Sequence, residues 1–266
     1  MHTKKFIPAK RLKYLYYRIV ALWSYFLELI IPPDKVDYRN IPIIINNFNR
    51  FDTLKRLISS LESRGYKNIV IIDNNSTNPK LSDFYKTCGY KIYRFERNLG
   101  SAALWESEVF KEYRRNYFVY TDPDMVPVDE CPADFMRFFF DVLRKHKFAQ
   151  KVGFSLKIDD LPDHYLHKQH VLDYEGQFYD YFIEEESLYR APVATTFALY
   201  RPRALKKHAN NYIEMYRTAY PYMALHLPWY QDSLNPDEDE RYYLEHLEKG
   251  YWYSTKNKKT LEKGRI

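Results

Sequence analysis

The stretch IPIIINNFNRFDTLKRLISSLESRGYKNIVIID, residues 41–73, decides the fold. It opens on a short β-rich run, IPIIINN, and continues into an amphipathic segment, FNRFDTLKRLISSLESRG. There Leu54, Leu57, Ile58 and Leu61 recur at helical spacing, and Gly65 stops the helix. The run NIVIID is then apolar up to Asp73, as expected of a strand buried on both faces. The same rhythm goes on beyond it. YKIYRF predicts a third strand, SAALWESEVFKEYRR a second helix, and YFVYT a strand that delivers Asp122-Pro123-Asp124. Strands alternating with helices predict an α/β fold: a mostly parallel sheet with helices on both faces.

Ligands of such sheets bind outside the carboxyl ends of the strands. The polar residues of the pattern gather there: Asn46-Asn47, Asp73-Asn74-Asn75, Arg97-Asn98 and Asp122-Pro123-Asp124. No GxGxxG follows the first strand, which disfavours a dinucleotide site. Asp73 is placed to accept hydrogen bonds from a ribose or a base N–H, or to cap the next turn. Asp122 and Asp124 repel each other unless a cation lies between them or one takes up a proton. A divalent metal suits two carboxylates, and a plain Asp-Pro turn is the alternative.

Composition narrows the class. A chain of 266 residues, 45% hydrophobic and 29% charged, reads as globular, with one large domain or two small ones. The 27 tyrosines suit a polar ligand such as a sugar or base, or an interfacial surface. Cys88 and Cys131 make neither a disulfide framework nor a zinc spacing, and favour a reducing compartment. The net charge of +6 is concentrated at the two ends of the chain. Nucleic acid is disfavoured as a partner, because the charge does not follow an aromatic-interleaved face.

Residues 1–40 read as a basic segment with an amphipathic helix. Arg18 and Glu28 interrupt the apolar run, which makes a poor spanning helix. Lys13, Tyr17, Ala21, Ser24 and Glu28 form a weakly polar stripe beside a broad apolar face. Two readings fit: a helix in an anionic membrane interface, or one packed on the main domain or a second subunit. Pro32-Pro33 ends it. Residues 256–266 form a basic tail.

At this point the motifs resemble a family. NNFNRFDTLKRLISSL resembles the opening of GT-A glycosyltransferases, particularly family 2-like enzymes of bacterial polysaccharide type. VIIDNNST resembles their nucleotide-binding strand, ERNLG their Asn-x-Gly segment, and YTDPDMVP their Asp-x-Asp metal motif. The four occur in the family's order. The resemblance implies a GT-A catalytic domain over residues 41–255, with a nucleotide-binding half (41–127) and an acceptor-side half (128–255). It implies that Asn47, Phe48, Arg50 and Asp73 line the nucleoside pocket and that Asn98 and Gly100 lie beside the diphosphate or donor sugar. Asp122 would meet the ribose or the metal shell, and Asp124 would ligate Mn²⁺ or Mg²⁺, with His226 completing the shell. His226 stacked on Trp229 or Tyr230 is the alternative.

The base that would deprotonate an acceptor hydroxyl is sought among carboxylates. Asp159 or Asp160, Glu184 to Glu186, and the run Asp237-Glu238-Asp239-Glu240 are the candidates. Asp160 and Glu186 are preferred; the last run is read as capping the helix that follows. The implied reaction moves a hexose from a nucleotide diphosphate sugar, UDP-linked for preference, to a glycan or lipid-linked glycan acceptor. The implied place is the cytoplasm, on the inner face of the cell membrane. Two rivals stand beside it: a haloacid-dehalogenase-type phosphatase with Asp122 as nucleophile, and a non-catalytic sugar-nucleotide or glycan binder.

Overall fold

A computed structural model of the chain describes residues 7–30, 36–194, 196–204, 214–247 and 259. Its core is one sheet. Strands β1 (Ile43–Asn47), β2 (Ile69–Asp73), β3 (Lys91–Arg94) and β4 (Phe118–Thr121) pair in parallel in the order β3-β2-β1-β4. β1 and β2 are buried throughout, which is why they read as continuous apolar runs. Within them Ile43, Ile45, Ile69 and Ile71 face one core cluster, and Ile44, Val70 and Ile72 the other. That is the period-2 alternation of a strand.

Helix α2 (Asp52–Ser63) covers the first face with Leu54, Leu57, Ile58 and Leu61. Gly65 follows at φ +85°, a left-handed position that ends the helix where a Cβ would press on Arg39. α3 (Pro79–Thr87) and α5 (Phe135–Lys145) join the same face. The opposite face is covered differently from the expectation. The predicted helix over residues 101–115 reduces to a 3-10 turn, Gly100–Ala102, and a short helix, α4 (Val109–Tyr113). Ala103, Leu104 and Trp105 between them are all buried, and three consecutive buried residues do not fit a helix that buries a single face.

The second half extends the sheet with mixed directions. After β5 (Met125–Pro127) come β6 (Ala149–Leu156), α6 (Lys168–Gly176), β7 (Phe182–Ile183) and β8 (Leu188–Tyr189). They are followed by β9 (Ala198–Tyr200), β10 (Glu214–His226) and α7 (Glu238–His246). β9 lies antiparallel between β4 and β6. β10 runs parallel to β6 and antiparallel to β5 and β8. Sequence reading did not anticipate β10, which is 13 residues long. The basic tail lies outside the described residues, apart from Lys259.

The N-terminal helix α1 (Ile7–Ile30) is present. Among the described residues no helix is long and apolar enough to cross a membrane.

Candidate active site

The carboxyl ends of β1, β2 and β4 meet on one rim, and their polar residues knit the loops together. Asn49 takes the left-handed conformation at φ 55°, which a short polar side chain tolerates. Its Oδ1 accepts from Thr77 N at 2.6 Å and Asn78 N at 3.0 Å, tying the loop after β1 to the loop after β2. Asp73 accepts from Ser76 N at 3.0 Å, and its other oxygen pairs with Arg94 Nε at 3.2 Å. The turn-capping reading of Asp73 is visible in its contacts, and the same carboxylate also holds an exposed arginine at the rim. Asn74 Nδ2 donates to Asn98 Oδ1 at 2.8 Å, and Gly100 N donates to the same oxygen at 2.7 Å. Gly100, at φ +65°, lets the chain turn there with open space around it.

Deeper in the rim lies a buried charge cluster. Arg50 is 3% exposed and Asp124 4% exposed. Arg50 Nε stands 3.7 Å from Asp124 Oδ2, and Arg50 Nη1 donates to Glu240 of α7. The Tyr243 ring covers the guanidinium at 3.9 Å. Burial opposes the charge on Arg50, but Glu240 and then Asp124 outweigh it and keep the group protonated well above its ordinary range.

The register of β5 against β10 sets His226 opposite Met125, next to Asp124. His226 Nε2 is 3.8 Å from Asp124 Oδ2, and its ring lies 4.4 Å from Trp229. The ring contact with Trp229 is the alternative reading of His226, and it leaves the side chain 3.8 Å from the acidic motif. Burial pushes its pKa down to about 4, with Asp124 opposing and Arg50 assisting, so at neutral pH the imidazole is uncharged, the form that ligates metals. Asp122, two residues before Asp124, is half-buried.

The sequence-predicted residues separate into groups. Asn47, Arg50, Asp73 and Asp124 are buried, Phe48 and Asp122 half-buried, and Asn98 and Gly100 exposed. Asn47 donates to Tyr85 at 3.0 Å, while its Oδ1 has no hydrogen-bond partner among the described residues. Phe48 lies edge-on to Tyr243 with ring centroids 6.3 Å apart. Asp160 stands beyond the carboxyl end of β6 on the rim side, bonded to Tyr230 Oη at 2.7 Å and Lys157 Nζ at 3.1 Å. It lines a cleft of about 470 Å³ with Arg56, Arg64, Val126, Lys157 and Leu225.

Glu186 is not brought to the rim. It pairs with Lys145 at 2.7 Å and His146 at 2.6 Å, beside the amino end of β6, at the opposite end of the sheet. Lys145 and His146 together hold its carboxyl below the usual range although burial works the other way, which makes it a poor proton acceptor.

The acidic run before α7 does more than cap its own helix. Asp237 caps α7, accepting from Glu240 N at 2.8 Å. Asp239 accepts from Phe51 N at 2.7 Å and Thr53 N at 3.4 Å. It thereby caps α2 from another element, where the local N-cap, Phe51, has no side chain able to do so. Glu240 pairs with Arg50. The sequence signals only the need: Arg50 is a cation in an otherwise apolar and amide-rich strand end and requires an acid from elsewhere, but nothing local says which one.

Could these residues hold a divalent metal? Asp124 Oδ1 is buried with no hydrogen-bond partner among the described residues, and the neighbouring imidazole is neutral. Carboxylate and imidazole suit Mn²⁺, and carboxylate suits Mg²⁺. Among the described residues no three His, Cys, Asp or Glu side chains converge on one point, so a metal here would need ligand oxygens from a bound substrate.

Comparison with known proteins bears on the whole chain. No curated protein sequence matches it. Solved structures similar to it include glucosyl-3-phosphoglycerate synthase from Mycobacterium tuberculosis in complex with Mn²⁺ and UDP-glucose. The identity is 16% over 61% of this chain and 56% of that one, with a TM-score of 0.38. TarS residues 1–349 of S. aureus match at 11% identity over 85% of this chain and 71% of that one, with a TM-score of 0.43. GalNAc-T7 with UDP, GalNAc and Mn²⁺ matches at 14% identity over 85% of this chain and 54% of that one, with a TM-score of 0.47. The chain thus spans just over half the length of the synthase and of GalNAc-T7. The sequence profile described as Glycosyl transferase family 2 matches residues 43–208, well over half the chain and the whole of the rim up to and beyond Asp124. The chain belongs to glycosyl transferase family 2.

Proposed function

We propose that the protein moves a hexose from a nucleotide diphosphate sugar, UDP-linked for preference, to a hydroxyl of a glycan or lipid-linked glycan. One observation carries this reading: the buried Asp124 carboxylate at the end of β4, with Oδ1 unpartnered and the neutral His226 beside it. Asp124, with His226 beside it, would hold Mn²⁺ or Mg²⁺ together with oxygens of the bound donor, and Asp122 of the same motif would complete the shell only after moving in. The metal, when bound, acts as a Lewis acid that neutralises the departing diphosphate.

The chain's own residues do the rest. Arg50, fixed by Glu240 and Tyr243, sets a positive charge 3.7 Å from the Asp124 carboxylate. Phe48 offers an aromatic face to the nucleobase, and Arg94, exposed beside Asp73, offers a fork of donors to it or the ribose. The loop from Asn98 to Gly100, braced by Asn74, presents backbone at the donor sugar. Asp160 takes the acceptor proton, with Tyr230 and Lys157 orienting its carboxylate.

The test is release of nucleoside diphosphate from a panel of UDP-, GDP- and dTDP-sugars with Mn²⁺, alone and with glycan acceptors. One donor should be consumed, in an Asp124-dependent way. No release from any donor, with a folded protein, would remove the donor assignment.

A further inference from the structure

Helix α1 is attached the wrong way round for a soluble protein. Its weakly polar stripe faces the domain: Ala21, Ser24 and Glu28 are buried. Glu28 accepts from Tyr117 Oη and from Arg201, which is itself fully buried. The other side of the helix is left outside. Leu12, Leu15, Ile19, Trp23, Phe26 and Ile30 are each at least 50% exposed, and their spacing of three and four residues makes one continuous stripe. Soluble monomers rarely show such a contiguous apolar face without an occupant.

We infer that α1 lies flat on an anionic membrane surface with this stripe in the lipid. The charges choose the occupant. The one acid of the helix, Glu28, is turned inward and neutralised by Arg201. Cations border the stripe: Lys13 is exposed on one side and Arg18 lies on the other, stacked at 3.9 Å on Phe148. The sequence around them adds Lys4, Lys5, Lys10 and Arg11. Aromatic and aliphatic side chains in a stripe edged by Lys and Arg are the composition of an interfacial helix. A second copy is a poorer fit, because pairing two such stripes sets cation against cation along both borders. Residues 12–16 are all exposed, so this stretch of the helix, Lys13 included, faces outward.

The attachment also fixes an orientation. Tyr117 precedes β4, Phe148 precedes β6, and Arg201 follows the antiparallel β9, so all three lie at the amino ends of the parallel strands. The rim with Asp124 is at the other end, on the order of 15 Å away by strand rise, and opens away from the lipid.

The test is flotation of the full chain with phosphatidylcholine vesicles, with and without phosphatidylglycerol, at low and raised salt. The same is done for the double variant Ile19→Glu, Phe26→Glu, with melting temperature and molar mass in solution measured in parallel. Wild type should float with the phosphatidylglycerol vesicles, less so at raised salt. The variant should lose at least about tenfold of the binding at an unchanged melting temperature, since both side chains are exposed. Wild type that floats with neither vesicle, or equally with both at any salt, overturns the inference. So does a wild-type dimer that the variant converts to a monomer, which would make the stripe an interface between copies.

Discussion

Arg50 and Arg201 are both buried arginines, and each is gripped by a glutamate from a helix far away in the chain: Glu240 of α7 at the rim, Glu28 of α1 at the floor. The floor cluster is closed. Arg201 Nε donates to Ala149 O at 2.9 Å, its Nη2 to Leu143 O and His146 O, and its Nη1 to Glu28, whose second oxygen is taken by Tyr117. The rim cluster is left open, with Glu240 Oε1 and Asp124 Oδ1 both buried and unpartnered among the described residues. Buried polar atoms are normally satisfied, so an unfinished network is where a ligand completes the structure. The floor fastens a helix; the rim leaves two buried carboxylate oxygens unmatched among the described residues, as the proposed substrate site requires.

Breaking each cluster separates the two roles. Arg201→Met leaves Glu28 buried without its partner and should cost about 3–5 kcal/mol of stability by urea unfolding. The protein that remains folded should keep its transfer rate. If it lost activity without losing stability, the floor would not be a mere fastening. At the rim the pattern reverses: Asp124→Asn should lower transfer by about a hundred- to a thousandfold with little change in melting temperature. A fall in stability equal to that of Arg201→Met would make Asp124 a structural anchor instead.

A pH profile sharpens the contrast further. The His226 pKa is lowered from 6.5 to about 4, so between these values the unfolded chain takes up a proton that the native protein refuses. The metal-free protein is therefore fully stabilised above pH 6.5 and loses, from this residue, about 3 kcal/mol as pH falls toward 4. His226→Gln should flatten that part of the profile, whereas Glu28→Gln should lower the whole curve without flattening it there. The smallest effect belongs to Asp239→Ala, which removes the cap on α2. About 1 kcal/mol should be lost, and amide exchange should speed up at Phe51 and Thr53 before anywhere on the floor.

Much of the rim could be read from the sequence because its parts are local. β1 and β2 are continuous apolar runs, and Asn47, Asp73 and Asp124 stand where each strand ends. The closure of the rim could not, since Glu240 meets Arg50 across 190 residues. Asp239 carried no sign that it would cap a helix other than its own. β10 was missed because its burial follows three different neighbours along its length, so no single period marks it. For α1 the two faces were legible but their assignment was not: only the position of Arg201 decides that the polar stripe turns inward. Glu186 seemed a fair base because an acidic run tells nothing of which end of the sheet it will reach.

The central claim is that the rim binds a nucleoside diphosphate together with a divalent cation through Asp124. Thermal unfolding with UDP, GDP, dTDP or CMP, with and without Mn²⁺, tests it most directly on wild type and Asp124→Ala. One nucleotide at about a hundred times its dissociation constant should add about 2.7 kcal/mol, only with Mn²⁺ and only in the wild type. No shift with any nucleotide, or an equal shift in Asp124→Ala, would contradict it.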